Sequence, residues 1–154
     1  MSPRHLVTRV VLLSRKHSLL VTVWAACIFV SSCGSSAESV ESAKRGVTRF
    51  HAQLDSEQYA ALYAASDDGF RRATNEPDFT KLLEAIHRKL GTVQQADLRN
   101  TTLAWHTGQG STVTLIYATK FATGNATEKF VWHVTSGATT LYGYNINSND
   151  LITR

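Results

Sequence analysis

The chain predicts an α+β fold, with helices first and an antiparallel sheet after, because its hydrophobic period changes near Thr92. Upstream, apolar residues recur every three or four positions; downstream they alternate. Gly-containing breaks at Gly108-Gln109-Gly110, Gly124-Asn125 and Ser136-Gly137 then divide the alternating half as hairpin turns would.

The first helix is expected over residues 38 to 54, where Val40, Ala43, Val47, Phe50 and Leu54 form one stripe and Lys44, Arg45 and Arg49 point elsewhere. Asp55, with Gln58 three residues on, is expected to cap a short second helix burying Tyr59, Leu62 and Tyr63. Ser66-Asp67-Asp68-Gly69 stops it by turn and capping chemistry, and a loop or turn carries the chain through Phe70 and Arg72. Thr74 or Asn75 then caps a third helix with Phe79, Leu82, Leu83, Ile86 and Leu90 inward; Arg88 and Lys89 suit its C-terminal dipole, and Gly91 its left-handed stop.

Four strands follow. The first holds Leu103 and Trp105, the second Val113, Leu115, Tyr117, Thr119 and Phe121, the third Phe130, Trp132 and Val134, and the last Tyr142, Tyr144 and Ile146, all facing inward. The opposite face would present Ile116, Val131, His133, Leu141 and Gly143, half apolar and fit to meet a second copy or a protein partner.

The 32 residues before Cys33 have a different character. Arg4, Arg9, Arg15 and Lys16 precede the uncharged stretch Ser18 to Val30, the order of a secretory signal. As a helix that stretch spans about 20 Å against the ~30 Å of a bilayer core, so a retained membrane span is the lesser reading. Val30-Ser31-Ser32-Cys33 resembles a bacterial lipoprotein signal, with an aliphatic residue three before the cysteine and small residues between. Cys27, behind the bulky Trp24, matches that pattern less well. The resemblance implies removal of residues 1–32, diacylglycerol with a further acyl chain (palmitate or similar) on Cys33, and export to the cell envelope, at the outer membrane where the organism has one. Several chains matter, because a single acyl chain holds a protein only marginally. Residues 33–39 would then be a lipidated tether and residues 40–154 the folded domain.

Charge accounting follows this division. The whole chain has 16 Lys and Arg against 12 Asp and Glu, but four of the basic residues precede Cys33, so the remainder is formally neutral. A pI of 9.3 therefore gives no support for a nucleic-acid partner. Both cysteines, Cys27 and Cys33, also fall at or before the lipidation point, so the domain must fold without disulfides.

Phe50-His51-Ala52-Gln53-Leu54 with Tyr59 to Tyr63, Asp78-Phe79 to Lys89-Leu90-Gly91, and Gly143-Tyr144-Asn145-Ile146-Asn147-Ser148 resemble the NTF2-like superfamily, and more closely small bacterial lipoproteins of unknown function that carry such a domain. That resemblance implies three helices packed on a curved four-stranded antiparallel sheet, in a simplified or cystatin-like arrangement, and transfers no activity.

Chemical signals are sparse. His51, His87, His106 and His133 have no metal-ligand spacing; His51 and His87 are expected on helix surfaces, and His106 and His133 on neighbouring strands. No catalytic, cofactor or metal residue is assigned. Two functions are expected in order: a lipid-anchored, non-enzymatic domain binding a protein or envelope component, or a small-ligand or enzymatic pocket lined by Tyr63, Phe79, Trp105, Tyr117, Trp132 and Tyr144. The acidic residues that can be placed fall on helix surfaces or turns; Asp97, His106 or Glu128 inside a deep pocket would reverse the order.

Overall fold

A computed structural model describes residues 34–106, 110–135 and 138–153. Four helices precede the sheet and one follows it: α1 (Gly34–Asp55), α2 (Tyr59–Ala64), α3 (Asp68–Ala73), α4 (Glu76–Leu90), β1 (Val93–His106), β2 (Gly110–Phe121), β3 (Asn125–Val134), β4 (Thr139–Asn147) and α5 (Asn149–Thr153). The fold is α+β as expected, with five helices rather than three.

The stripe of α1 is buried as its spacing requires, with Ala43, Val47, Phe50 and Leu54 all at 2% exposure or less. Residues 34–39, expected as a tether, are instead the opening turns of this helix. No proline interrupts them, and Ser39 is buried where its hydroxyl meets Ser111 Oγ at 3.4 Å. Two turns on, Gly46 lets α1 lie close on the sheet, since a Cβ there would come within 2.8 Å of the Trp132 ring.

Asp55 does not cap α2. It ends α1 and accepts from the Val93 N–H at 3.0 Å, joining the helix to the first strand, while Glu57 (φ 54°) reverses the chain. Asp67 caps α3 by accepting from the Gly69 N–H (2.7 Å), and this six-residue helix replaces the expected loop. Phe70 holds it down, edge-on to Phe79 with ring centroids 5.0 Å apart. Asn75 caps α4, accepting from the Asp78 N–H at 2.9 Å, and Gly91 at φ 76° ends it. Phe79, Leu83, Ile86 and Leu90 form its buried face.

The sheet is an antiparallel meander in the order β1-β2-β3-β4. Alternation holds along β2 and β3, so Val113, Leu115, Tyr117, Thr119 and Phe121 meet Ala126, Glu128, Phe130, Trp132 and Val134 on the helix-covered face. It fails in β4. Val131 pairs with Gly143 but Trp132 with Leu141, leaving Tyr142 as an extra residue in a bulge. Leu141, expected on the outer face, is therefore 3% exposed and Tyr142, expected inward, 51% exposed. α5 then folds back, with Lys89 Nζ donating to the Leu151 carbonyl (2.7 Å) and Asp150 accepting from the Asn125 N–H (3.1 Å).

Candidate functional site

Two polar regions flank α1, one sealed and one open. The sealed one centres on Glu128, which is completely buried on β3. Three donors converge on its carboxyl: His51 Nε2 stands 2.9 Å from Oε2, the Thr119 hydroxyl donates to the same oxygen, and the Tyr144 hydroxyl donates to Oε1 at 2.7 Å. Phe50, Phe130 and Tyr144 pack around it, with Phe50 to Tyr144 at 4.8 Å and Phe130 to Tyr144 at 5.1 Å between centroids. Burial, and then the nearby Glu128, hold the Tyr144 hydroxyl well above the ordinary tyrosine range, so it keeps its proton and stays a donor.

Sequence reasoning missed this cluster in two places. His51 was expected on a helix surface, yet it is 7% exposed because it lies four residues after Val47 and shares that stripe. Glu128 was assigned no face, although the alternation that turns Phe130 and Trp132 inward turns Glu128 inward too.

The open region is a cleft of about 640 Å³ between α1, from Glu38 to Arg49, and the strand ends that carry Trp105, Ser111, Val134 and Thr139. Ser42 and Thr139 hydroxyls hydrogen-bond across it at 2.7 Å. Arg45 and Arg49, both exposed, line it and have no hydrogen bond or ion pair among the described residues; Glu38 stands at its rim. A smaller cavity of about 230 Å³ adjoins through Arg49 and Thr139, with Phe50, Leu62 and Leu141 as apolar walls. Trp132 lines it too, and its buried Nε1 has no partner among the described residues.

The six aromatics expected in one pocket do not meet in one. Phe79, Tyr117 and Trp132 belong to the core, at 2%, 8% and 4% exposure. Tyr63 is half-buried and donates to the Thr74 carbonyl (3.1 Å), and Tyr144 points its hydroxyl at Glu128. Trp105, 58% exposed, lines the larger cleft. The cause is topological: the register sets Trp105 opposite Ser111, Trp132 opposite Val113 and Tyr117 opposite Glu128, so they stand at different points along the sheet, and the stripe of Ala43, Val47, Phe50 and Leu54 on α1 packs into the same core.

On the outer face Ile116, Val131 and His133 are half-buried, without Leu141. His133 Nδ1 lies 3.1 Å from Asp67 Oδ2, which also accepts from the Thr140 hydroxyl at 3.2 Å. Burial pushes the Asp67 carboxyl up, but the Gly69 N–H, His133 and Thr140 outweigh it and leave it below its ordinary value. His106 is separated from His133 by β2, so the two strands that carry them are not neighbours. His87 is half-buried beside Glu57, with 3.5 Å between Nδ1 and Oε1.

Among the described residues no three His, Cys, Asp or Glu come together to hold a metal ion, and no helix is long and apolar enough to cross a membrane. Cys33, Cys27 and the segment expected to be a signal lie outside the described residues.

Comparison with curated proteins gives no significant match. Residues 47–144, from the middle of α1 to Tyr144 in β4, match a family model described as a protein of unknown function (DUF4019), and the chain belongs to that family.

Proposed function

We propose that this is a lipid-anchored protein of the bacterial envelope whose domain binds an envelope component without catalysing a reaction, and that the larger cleft is the binding surface. One observation carries the preference for binding. Glu128, the buried acid that an enzyme of this architecture would use, commits its hydrogen bonds to internal donors and lines neither cavity. Among the described residues the open cleft presents hydroxyls and arginines but no paired carboxylate and histidine. The proposed lipid carrier, Cys33, immediately precedes α1, and Glu38 and Ser39 on the cleft follow within two turns. We also infer a simplified NTF2-like or cystatin-like arrangement, supported by the long first helix laid across an antiparallel meander. Pairing of two copies through the outer sheet face has less to rest on, since Leu141 is inward and His133 is held by Asp67.

The test is intact mass and membrane fractionation of the natural chain beside Cys33→Ala, with a photoreactive residue in place of Glu38 in the cleft or Thr127 on the outer face. The natural chain should lose residues 1–32, gain lipid mass and crosslink from position 38. An alanine variant that is still processed and membrane-bound like the parent would refute the anchor; crosslinks only from position 127 would refute the cleft.

A further inference from the structure

We propose that the ligand of the cleft is an anionic glycan, with a carboxylate seated on Arg45 and Arg49, sugar hydroxyls on Ser42 and Thr139, and one sugar face on Trp105. The inference rests on the cleft being the binding surface and goes on to give its ligand a chemical class. Three features of the lining select that class. Arg45 and Arg49 lie one turn apart on the exposed side of α1, and no described carboxylate neutralises either. Guanidinium forks match carboxylates in paired hydrogen bonds, so two unpaired forks at one cleft select an anion. The rest of the lining offers Ser42 and Thr139, half-buried hydroxyls that bond each other at 2.7 Å and keep lone-pair capacity for a sugar hydroxyl. Trp105 adds an apolar plane, 58% exposed on the cleft, against which the C–H face of a pyranose can lie. At about 640 Å³ the space lies within the usual range for small-ligand sites and accommodates two or three sugar rings.

Glu38 lines the cleft about two helical turns before Arg45 and repels an anionic group at its own end, so the carboxylate belongs at the arginine end. An uncharged glycan would leave both guanidinium groups without a partner. A bare anion would leave Trp105 and the hydroxyls unused.

Calorimetry of the full lipidated chain in detergent micelles tests this with four probes: a tetrasaccharide alternating N-acetylglucosamine and N-acetylmuramic acid, tetragalacturonate, chitotetraose and inorganic phosphate. At least one acidic glycan should bind about tenfold or more tighter than chitotetraose, and Arg45→Gln with Arg49→Gln should abolish that preference. Which acidic glycan binds tighter identifies the source of the carboxylate. Trp105→Ala should weaken binding of the acidic glycan about fivefold. Equal affinity for acidic and neutral glycans, no binding of either acidic one, or phosphate binding as tightly as both would overturn the inference. If position 38 still crosslinks to an envelope component after such a result, the cleft remains the binding surface and only the glycan is lost; if it does not, both fall.

Discussion

His51 and Arg49 stand two residues apart on α1, about 200° around the helix, and meet opposite fates. His51 is 7% exposed and bonded to Glu128, whereas Arg49 lines an open cleft without a partner among the described residues. The sealed region is polar because every member answers another: Glu128 supplies acceptors, and His51, Thr119 and Tyr144 supply donors. In a low-dielectric interior such reciprocity is what makes a buried carboxyl tolerable. The cleft shows the reverse. Its arginines can remain unpaired because water solvates them, and an incoming anion can replace that water. Buried polar groups that answer one another indicate architecture here, and exposed unpaired charges indicate a site.

The largest effect should come from breaking the reciprocity at its centre. Glu128→Ala strands three buried or half-buried donors and opens a void beside Phe130, so we expect a loss of about 3–5 kcal/mol. In a thermal melt that is a lowering of Tm by roughly 10–20 °C. Glycan binding in the fraction that remains folded should be unchanged. A variant as stable as the parent would mean that the cluster does not hold the fold and that Glu128 is kept for something else.

Tyr144→Phe asks the same question from the rim. It removes one donor and leaves Oε1 of Glu128 without the partner it has at 2.7 Å, a loss of about 1–3 kcal/mol. The ring and its contacts with Phe50 and Phe130 survive the change, so the difference measures the hydroxyl.

Much of the sealed region is legible in the sequence, and the part that is not has a physical cause. The stripe of α1, the stripe of α4 and the alternation of β2 and β3 are long enough for period to decide, and they place Phe50, Leu83, Val113 and Phe130 correctly. By that logic Glu128 belongs inside, two residues before Phe130, but a charge argues for the surface, and the partners that offset it, among them His51 four residues along from Val47, lie on other elements. Pairing across 77 residues of chain has no local signature. The faces of β4 are hidden by a bulge, since one extra residue inverts them on either side of it. α3 and α5, of six and five residues, are too short to show a helical period at all. The cleft is invisible for another reason: serines, threonines and arginines drawn from α1, β2 and β4 are ordinary singly and become a site only when the topology gathers them.

Asp67 gives an intermediate case, partly exposed yet fully engaged. Asp67→Ala removes the α3 cap and the acceptor shared by His133 and Thr140, which should lose about 1–2 kcal/mol at neutral pH. Because the folded carboxyl titrates below its ordinary 3.8, its stabilisation is present above that value and disappears as pH falls through the lower, folded one. The gap in Tm between parent and variant should therefore be widest near pH 6 and narrow toward pH 3. A gap that persisted unchanged in acid would assign the effect to lost packing against α3 and not to the carboxylate.

The smallest effect on stability is expected from the residues assigned the largest role in binding. Arg45 and Arg49 are like charges at i, i+4, an arrangement that costs an isolated helix a few tenths of a kcal/mol. Replacing both by glutamine keeps helix propensity, removes the repulsion and breaks no bond among the described residues. Stability should stay within about 0.5 kcal/mol of the parent, and rise if it moves at all, while acidic glycan affinity collapses. A helix that sets two like charges one turn apart at an open cleft, with no ion pair among the described residues to hold either, is what a stored binding interaction looks like. If the double variant instead melted more than about 1 kcal/mol lower, the two arginines would be serving the fold, and the contrast between the sealed region and the open one would collapse into a single structural network.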